Sequence, residues 1–473
     1  MNFNKKLAVA VSGAVLLMAG QFALADSTTD IVDALVSKGV LTEEEGKLIS
    51  KGHDSKKKAE GTVGFKDGFK INSGDGKSNF SVNGRIMADY RYFDTPETAS
   101  RSAVSSAENA DTFDMRRAYI GAKGNFRGWI NWEATLDGVN GAALLKYFWL
   151  ETAFSDKFKV RFGQFKMPGS LEQLTSSRFI DFTERDWVSS LAPAVNKGIM
   201  IHGVPTPGVT YGVSVSNGGL LSDAGATSIE TGNSHDGKSY NMRVTANIAE
   251  FMGNKEAIAH IGGWYGRDDN IAGITAGTLK FRTNARGTNF FGNLTAAYTA
   301  PDVTRGGLEV IGAYGPVKFQ AEAANLEIEQ SSLDTRDIKA GYAGISYMIT
   351  GEKYAQSYKN GVMDRMIPLK NFTGLDSAGY GAWEIGLRYS KFDGKDWARD
   401  GAILTTAASA NDVKSYSAGV KWITDPNTRF LLDYIYTDFN ANIHGATSTG
   451  IAYALSQTMR NEKAVNFRAQ FDF

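Results

Sequence analysis

One stretch of the chain, residues 166–186, brings seven charged side chains close together in the sequence. It mixes cations and carboxylates with apolar anchors: Lys166, Glu172, Arg178, Asp181, Glu184, Arg185 and Asp186. Opposite charges held across a narrow aqueous opening act on ions more strongly than charges in bulk water do. Long loops without a strand period are usually functional or disordered, and the aromatic residues of this one disfavour disorder. The pattern predicts a constriction loop around residues 166–195, with an external lid that plays no part in permeation as the alternative.

Other chemistries find little support in the sequence. The histidines lack the spacing of a metal site or a catalytic triad: His53, His202, His235, His260 and His444. The absence of cysteine removes disulfides, thiol nucleophiles, Cys-rich zinc sites and covalently attached haem. Residues 74–78 resemble part of a phosphate-binding loop, but Ile71 stands where that motif needs glycine. We predict no enzyme activity, metal or cofactor; the open alternative is an outer-membrane lipid hydrolase that pairs a serine with His202, His260 or His444.

The charged stretch lies in a chain whose dominant pattern is alternation with a period of two. Successive side chains of a strand face opposite sides, so each alternating segment separates an apolar medium from a polar one. The last ten residues place Asn466, Arg468, Gln470 and Asp472 on one face and apolar side chains on the other. Similar segments, separated by Gly, Asn and Asp, lie at 80–92, 130–137, 240–248, 383–390 and 429–436. The pattern predicts an all-β fold, a transmembrane antiparallel β-barrel whose polar face lines a wet lumen.

The number of strands follows from a count and a parity rule. We count 17 candidate strands and expect 16, because single-chain bacterial barrels have an even number. A soluble secreted β-rich binding protein would also alternate, and it remains an alternative. That protein would expose a large apolar band to water, including Trp422, Tyr434, Tyr436 and Phe471.

Two short units precede the predicted barrel. Residues 1–25 have the pattern of an export signal, with Lys5 and Lys6 before an apolar run and Ala-Leu-Ala at residues 23–25 as a cleavage site. Residues 26–60 have helical spacing, a possible stop at Gly39 and a capping box from Thr42 to Glu45. These features predict a short periplasmic helical hairpin and linker, after which the barrel occupies residues 61–473.

The charge balance argues against a nucleic-acid partner. The chain has 51 basic and 51 acidic residues, and loss of Lys5 and Lys6 with the signal leaves 49 against 51. Such a balance provides neither a basic surface for nucleic acid nor a strongly basic pore. The mean hydropathy of −0.26 is that of a polar chain, so membrane insertion would have to use strands. The predicted location is the outer membrane of a Gram-negative bacterium, with membrane lipid and small solutes or inorganic ions as partners.

Several motifs resemble the phosphate-selective porin O and P family. The most distinctive is Arg-Phe-Gly-Gln-Phe-Lys at residues 161–166, which continues through residues 170–172, 175–177 and 184–185. Supporting motifs lie at residues 84–85, 113–117, 350–352, 381–384, 425–430 and 471–473. The resemblance runs from the signal to the last residue. It implies a homotrimeric 16-stranded outer-membrane porin whose third extracellular loop narrows the channel, with arginines along the lumen and lysines at the constriction.

Four arginines lie where lumenal arginines of that family could fall: Arg85, Arg116, Arg117 and Arg161. Strand parity puts Arg85 and Arg161 on the polar face, whereas only one of Arg116 and Arg117 can face inward in a regular strand. Guanidinium suits anions because its planar donors match oxyanion geometry and it stays charged. The loop nevertheless mixes its cations with carboxylates, which resembles the transverse field of a general diffusion porin. We expect a water-filled channel for passive diffusion of small hydrophilic solutes and ions, with anions such as phosphate among the candidates.

Overall fold

The wall of the molecule is a closed sheet of sixteen strands, counted over the residues that the structure describes. In this computed structural model those residues are 32–33, 35–60, 62–64, 69–94, 111–139, 144–217, 237–269, 279–292, 300–330, 333–375, 378–397, 410–444 and 458–473. The wall strands are β1 (Asn79–Phe93), β2 (Thr112–Phe126), β3 (Ile130–Asp137), β4 (Leu144–Ser155), β5 (Phe158–Lys166), β6 (Val195–Thr206), β7 (Val209–Asn217), β8 (Lys238–Asn247), β9 (Ala257–Asp268), β10 (Asp302–Tyr314), β11 (Val317–Gln330), β12 (Leu333–Met348), β13 (Ala382–Asp393), β14 (Asp412–Ile423), β15 (Thr428–His444) and β16 (Thr458–Asp472).

Closure removes the sheet edges that would otherwise carry unpaired backbone groups. The last strand pairs antiparallel with the first, so that Ala464 lies opposite Phe93 and Asp472 lies opposite Arg85. The predicted all-β transmembrane barrel of 16 strands is confirmed.

Side chains of the wall alternate between an apolar exterior and a polar interior. In β13, for example, Ile385 and Leu387 are exposed on the outside, whereas Arg388 and Ser390 are buried inside. The exterior therefore offers lipid an apolar surface, and the interior collects the charges of the chain.

The two ends of the barrel differ in the length of their connections. At one end, called the turn end, short turns join the strands at 127–129, 156–157, 207–208, 315–316 and 424–427. At the other, called the loop end, the connections include residues 167–194 between β5 and β6, which the sequence predicts to be a constriction loop and which are called the constriction loop below. Short turns face the periplasm and long loops face outward in outer-membrane barrels.

Three connections carry short elements that pack inside the barrel. The constriction loop contains helices α2 (Leu171–Leu174) and α3 (Trp187–Leu191). A second loop-end segment pairs Phe281–Arg282 with Asn289–Phe291. The turn-end connection between β12 and β13 contains the 3₁₀ helix Tyr354–Ser357 and the paired strands Tyr358–Lys359 and Val362–Met363. A further short helix, α4 (Ile248–Phe251), lies in the turn between β8 and β9.

Apolar side chains join these segments to the inner wall. Trp187 of α3 packs edge-on against Phe290 and Phe392, with ring centroids 5.5 and 6.0 Å apart. A second buried cluster joins Leu171 of α2 to Met363 and Met366. The first of these three segments is the stretch in which the constriction loop is predicted, whereas the other two were not expected from the sequence.

The N-terminal unit is helical over its described residues. Helix α1 (Glu43–Glu60) begins at a capping box, in which Thr42 N donates to Glu45 Oε2 at 2.9 Å and Glu45 N donates to Thr42 Oγ1 at 3.2 Å. Strands Thr62–Gly64 and Phe69–Asn72 form a small hairpin. No helix in the described part of the chain is long and apolar enough to cross a membrane. Residues 1–31, with the predicted signal, lie outside the described residues, and the predicted boundaries 1–25, 26–60 and 61–473 stay predictions.

Closure of the barrel requires a glycine in the first strand. Gly84 N donates to the Phe473 carbonyl at 2.9 Å, and Phe473 N donates to the Gly84 carbonyl at 3.1 Å. A Cβ atom on Gly84 would lie 2.6 Å from the Phe473 ring and 2.8 Å from the Tyr119 carbonyl oxygen. We predict that Gly84→Ala lowers barrel stability by roughly 1–3 kcal/mol, as overpacked sites do. The measurement is the temperature at which the folded band disappears in heat-modifiable gel migration.

The matched control is Gly312→Ala in β10, because a Cβ atom there meets nothing within 4 Å. The control should keep the wild-type transition. Equal transitions for both variants would contradict a steric role of Gly84 in closure.

Candidate functional site

The carboxylate of Glu322, in wall strand β11, anchors the start of the constriction loop. Helix α2 begins at Ser170, whose Oγ accepts from Gln173 N at 3.2 Å. The free N–H groups of Leu171 and Glu172 donate to the Glu322 carboxylate of β11 at 2.9 and 2.8 Å. Because these N–H groups form the positive end of a helical turn, the wall carboxylate holds α2 against the barrel.

The Glu172 side chain then joins the two halves of the loop. Its carboxylate accepts from Asp186 N at 2.7 Å and from Ser189 Oγ at 3.3 Å, and Arg388 Nη1 of β13 lies 3.4 Å away. Glu172 is only 3% exposed. Burial raises the pKa of Glu172 to about 7, although the Arg388 charge opposes the rise.

Glu184 forms the most extensive ion pair of the loop. Arg116 of β2 binds both of its oxygens, at 2.7 and 3.0 Å, and Arg468 Nη2 of β16 binds Oε1 at 2.9 Å. Burial by itself disfavours ionisation of Glu184, but the two guanidinium groups outweigh it and hold the pKa well below its usual value. The loop is thereby tied to two wall strands that adjoin β1 on either side.

The remaining loop charges are also bound to neighbours. Asp181 accepts from Lys318 Nζ of β11 at 2.5 Å. Lys166 Nζ donates to the carbonyls of Gln173, Leu174 and Thr175 at 2.5, 3.3 and 3.3 Å, which caps the end of α2. Arg185 donates to the carbonyls of Glu172 and Thr175 at 2.8 and 2.7 Å. These side chains support the loop rather than project freely into the channel.

The tip of the loop presents a different environment. Arg85 of β1 is half-buried and donates to Ser177 Oγ at 2.8 Å and more weakly to Ser176 Oγ at 3.4 Å. Arg178 Nη1 lies 3.5 Å from Asp472. Burial lowers the pKa of Arg178 to about 10, and the neighbouring Arg85 charge acts in the same direction. Cations and hydroxyl groups thus dominate this side of the interior.

Both Arg116 and Arg117 face the interior, because β2 departs here from the regular strand in which only one of them could do so. Four large apolar side chains of β2 are exposed on the outside: Phe113, Met115, Ile120 and Phe126. Because odd-numbered and then even-numbered side chains of β2 are exposed outside, the strand changes face between Met115 and Ile120. Arg117 is 5% exposed, and its Nη1 lies 3.6 Å from the Met87 sulfur.

Arg161 faces the interior, as its strand parity predicts, but it is fully engaged there. Its guanidinium donates to Glu151 Oε2 at 2.9 and 2.6 Å and stacks 3.9 Å from the Trp149 ring centroid. His202 Nε2 contacts the same carboxylate oxygen at 2.7 Å. Arg161 is therefore part of a wall network away from the loop tip.

Sequence reasoning missed two lysines that lie near the loop tip. Lys123 of β2 is exposed and Lys146 of β4 is half-buried, and neither forms an ion pair with a described residue. The Lys166 ammonium lies among the charges of Arg85, Arg117, Lys146 and Arg185, which places Lys146 in the same cationic region. Lys123 and Tyr119 both lie at odd-numbered positions of β2 and face inward. If the point where β2 changes face had been located, Lys123 could have been identified as a lumenal residue.

Metal chemistry has no site in the part of the chain that the structure describes, where no group of three or more His, Asp or Glu side chains could hold an ion.

The sequence model of the phosphate-selective porin O and P family matches residues 80–473. The chain belongs to the phosphate-selective porin O and P family. It is an outer-membrane porin of a Gram-negative bacterium, which confirms the expected channel function and location.

Individual relatives are distant. Porin O of Pseudomonas aeruginosa is 24% identical over 401 residues, which cover 78% of this chain and 85% of that protein. The solved anion-selective porin from Comamonas acidovorans is 13% identical, with a TM-score of 0.49 over 84% of this chain and 100% of that one. The channel DcaP of Acinetobacter baumannii is also 13% identical, with a TM-score of 0.49 over 84% and 98% of the two chains.

The raised pKa of Glu172 gives the porin a defined pH dependence of stability. The pKa rises from its ordinary 4.5 to about 7 on folding, so the folded protein binds this proton more tightly than the unfolded chain does. The contribution to stability is therefore fully present below about pH 4.5 and is lost as the pH rises through about 7. Glu172→Gln keeps an oxygen for Asp186 N and has no proton to lose. Between pH 4.5 and 7, we predict that the free energy of unfolding falls less in this variant than in wild type. The difference should be roughly 3 kcal/mol at most, since one pKa unit corresponds to about 1.4 kcal/mol.

The measurement is the thermal unfolding midpoint as a function of pH, followed by circular dichroism in detergent. Glu256→Gln is the control, since its side chain is 61% exposed. A pH profile of Glu172→Gln that superimposes on the wild-type profile would contradict this role.

Proposed function

We propose that this porin passes small hydrophilic anions in preference to cations, along the side of the interior where the loop tip faces β1, β2 and β4. The observation that carries the proposal is an unequal neutralisation of charge. The carboxylates Glu172, Asp181 and Glu184 of the constriction loop are paired with Arg388, with Lys318, and with Arg116 and Arg468, respectively. Among the described residues, Arg85, Lys123 and Lys146 form no ion pair with a carboxylate, although Glu133 and Asp364 are near enough to act on the Lys123 charge.

The cations of this side supply the chemistry that an oxyanion needs. Guanidinium and ammonium groups donate charged hydrogen bonds, and the adjacent hydroxyls of Ser176 and Ser177 can donate further ones. Inorganic phosphate is the candidate solute that the name of the family suggests. The ten residues Arg85, Arg116, Arg117, Arg161, Lys166, Glu172, Arg178, Asp181, Glu184 and Arg185 are proposed to form or support this constriction.

A second candidate is a general diffusion pore with a transverse field. Lys123 pairs in register with Glu133 of β3, a half-buried carboxylate that faces the same lumen. Asp114 adds negative charge near Arg91, with which it forms an ion pair of 2.8 Å. If these acids balance the lysines, the pore would show little preference for the sign of an ion.

We also propose that the channel assembles as a homotrimer, as the family resemblance implies. The wall contains short strands in one sector, with 8 residues in β3 and 9 in β5. Such lengths fall at or below the roughly 9–11 residues that a tilted strand needs to span a bilayer. A neighbouring copy would shield the ends of these strands from lipid.

The selectivity proposal predicts a shift in reversal potential when the two lysines lose their charge. In a planar bilayer with a potassium chloride gradient, Lys123→Gln with Lys146→Gln should move the reversal potential toward that of a cation-selective pore. The shift should shrink at about 1 M salt, where screening shortens to about 3 Å. In parallel, micromolar phosphate should block chloride current less in the double variant than in wild type.

The control is Lys255→Gln, since Lys255 is exposed in the turn between β8 and β9, away from the loop tip. It should leave the reversal potential unchanged. An unchanged potential in the folded double variant at low salt would reject the proposed path, and a wild-type pore without ion preference would favour the general diffusion pore.

A further inference from the structure

The turn-end connection between β12 and β13 has a second part that the channel does not use. Its first part packs inside the barrel through Tyr354, Met363 and Met366. After Met366 the chain emerges at the rim as the rim segment, defined as residues 367–375 and 378–380. Four of its large apolar side chains are strongly exposed: Ile367 at 60%, Leu369 at 66%, Leu375 at 97% and Tyr380 at 74%.

Residues that adjoin the ends of wall strands β12, β13 and β14 hold the rim segment in place through its backbone. Leu369 N donates to Glu352 Oε1 at 3.0 Å, Phe372 N donates to the Thr424 carbonyl at 2.7 Å, and Gly381 N donates to the Lys370 carbonyl at 3.1 Å. Glu352 is 1% exposed and also accepts from Thr350 Oγ1. The exposed side chains are therefore fixed on the rim by buried polar contacts.

The rim segment is continuous with the aromatic surface of the outer wall. The Tyr380 carbonyl accepts from the indole N–H groups of Trp383 and Trp422 at 3.1 and 2.8 Å. The Phe372 ring packs edge-on against Trp422, with centroids 5.1 Å apart. Trp383 and Trp422 stack 5.3 Å apart and share their face with the exposed wall residue Ile385.

Aromatic side chains with polar tips concentrate where a barrel meets the headgroup layer of the membrane. Contact with water is unfavourable for an apolar patch that neither a membrane nor a partner covers. We propose that the rim segment lies in the periplasmic leaflet and binds its phospholipids, with Ile367, Leu369 and Leu375 inserted below the headgroups. The segment thereby extends the lipid-facing surface of the barrel beyond the strand ends and anchors its turn end in the membrane.

The absence of cysteine from the chain permits a direct test with single-cysteine variants. Leu375→Cys, labelled with a small polarity-sensitive thiol dye, is reconstituted in vesicles of phosphatidylethanolamine and phosphatidylglycerol. The vesicles carry spin-labelled lipids that quench either near the headgroup or at mid-chain. Asp156→Cys is the aqueous control, since that side chain is 93% exposed in the turn between β4 and β5. Leu387→Cys is the lipid control, because Leu387 is 59% exposed on the outer wall.

The dye at residue 375 should emit at shorter wavelength than the dye at residue 156. The spin label near the headgroup should quench the dye at residue 375 several-fold more strongly than it quenches the dye at residue 156. The dye at residue 387 should be quenched more by the mid-chain label than by the headgroup label. Leu369→Cys should repeat the result, and heat-modifiable migration checks that each variant is folded. Emission and quenching at residues 369 and 375 that match residue 156 would overturn the proposal. Shielding that disappears on dilution of the protein in lipid would also overturn it, because the occupant would then be a second copy.

Discussion

Charge pairing between the constriction loop and the inner wall is the interaction on which the rest of the structure depends. Alternation along the strands forces arginines such as Arg116, Arg388 and Arg468 into the barrel, and a guanidinium group cannot escape the cost of burial by losing its proton. Glu172 and Glu184 of the loop lie within 3.4 and 2.9 Å of those groups. Removing one partner of a buried pair costs about 3–5 kcal/mol, because the other charge is left uncompensated. The loop therefore cannot leave the lumen without leaving several buried charges unpaired, which argues for a loop fixed inside the barrel and against a mobile external lid.

The same pairing changes how the charges of the loop should be counted. Along the sequence the loop is electrically mixed, and this mixture by itself favours a transverse field. In the folded protein the carboxylates are directed at the wall, where Arg388, Lys318, Arg116 and Arg468 neutralise them. Lys166 and Arg185 are likewise occupied, since both donate to loop carbonyls. In the proposed anion path, the charges left to act on a solute come from Arg85, Lys123 and Lys146.

The barrel could be predicted because period-two alternation depends only on neighbouring residues, and the inward direction of Arg85 and Arg161 followed from it. The partners of the loop could not be predicted, because Glu172 meets Arg388 across 216 positions and Glu184 meets Arg468 across 284. Strand parity failed at Arg116 and Arg117, where β2 changes face and no nearby glycine or proline marks the change. The lumenal insertion of residues 354–366 also escaped prediction, because Met363 and Met366 pack against Leu171, a residue that is distant in the sequence.

The most direct test of the account is a covalent bridge between the loop and the wall. Thr183 Oγ1 of the loop lies 3.4 Å from Asn466 Nδ2 of β16, and the chain contains no cysteine that could compete. In the variant Thr183→Cys with Asn466→Cys, a short bifunctional thiol reagent should bridge the two residues in the folded, membrane-reconstituted porin. Because the loop already occupies this position, the bridged protein should keep the single-channel conductance and reversal potential of the unbridged one. Failure of the bridge to form in folded protein, or a bridge that changes the conductance, would contradict a constriction loop held in the lumen by the wall.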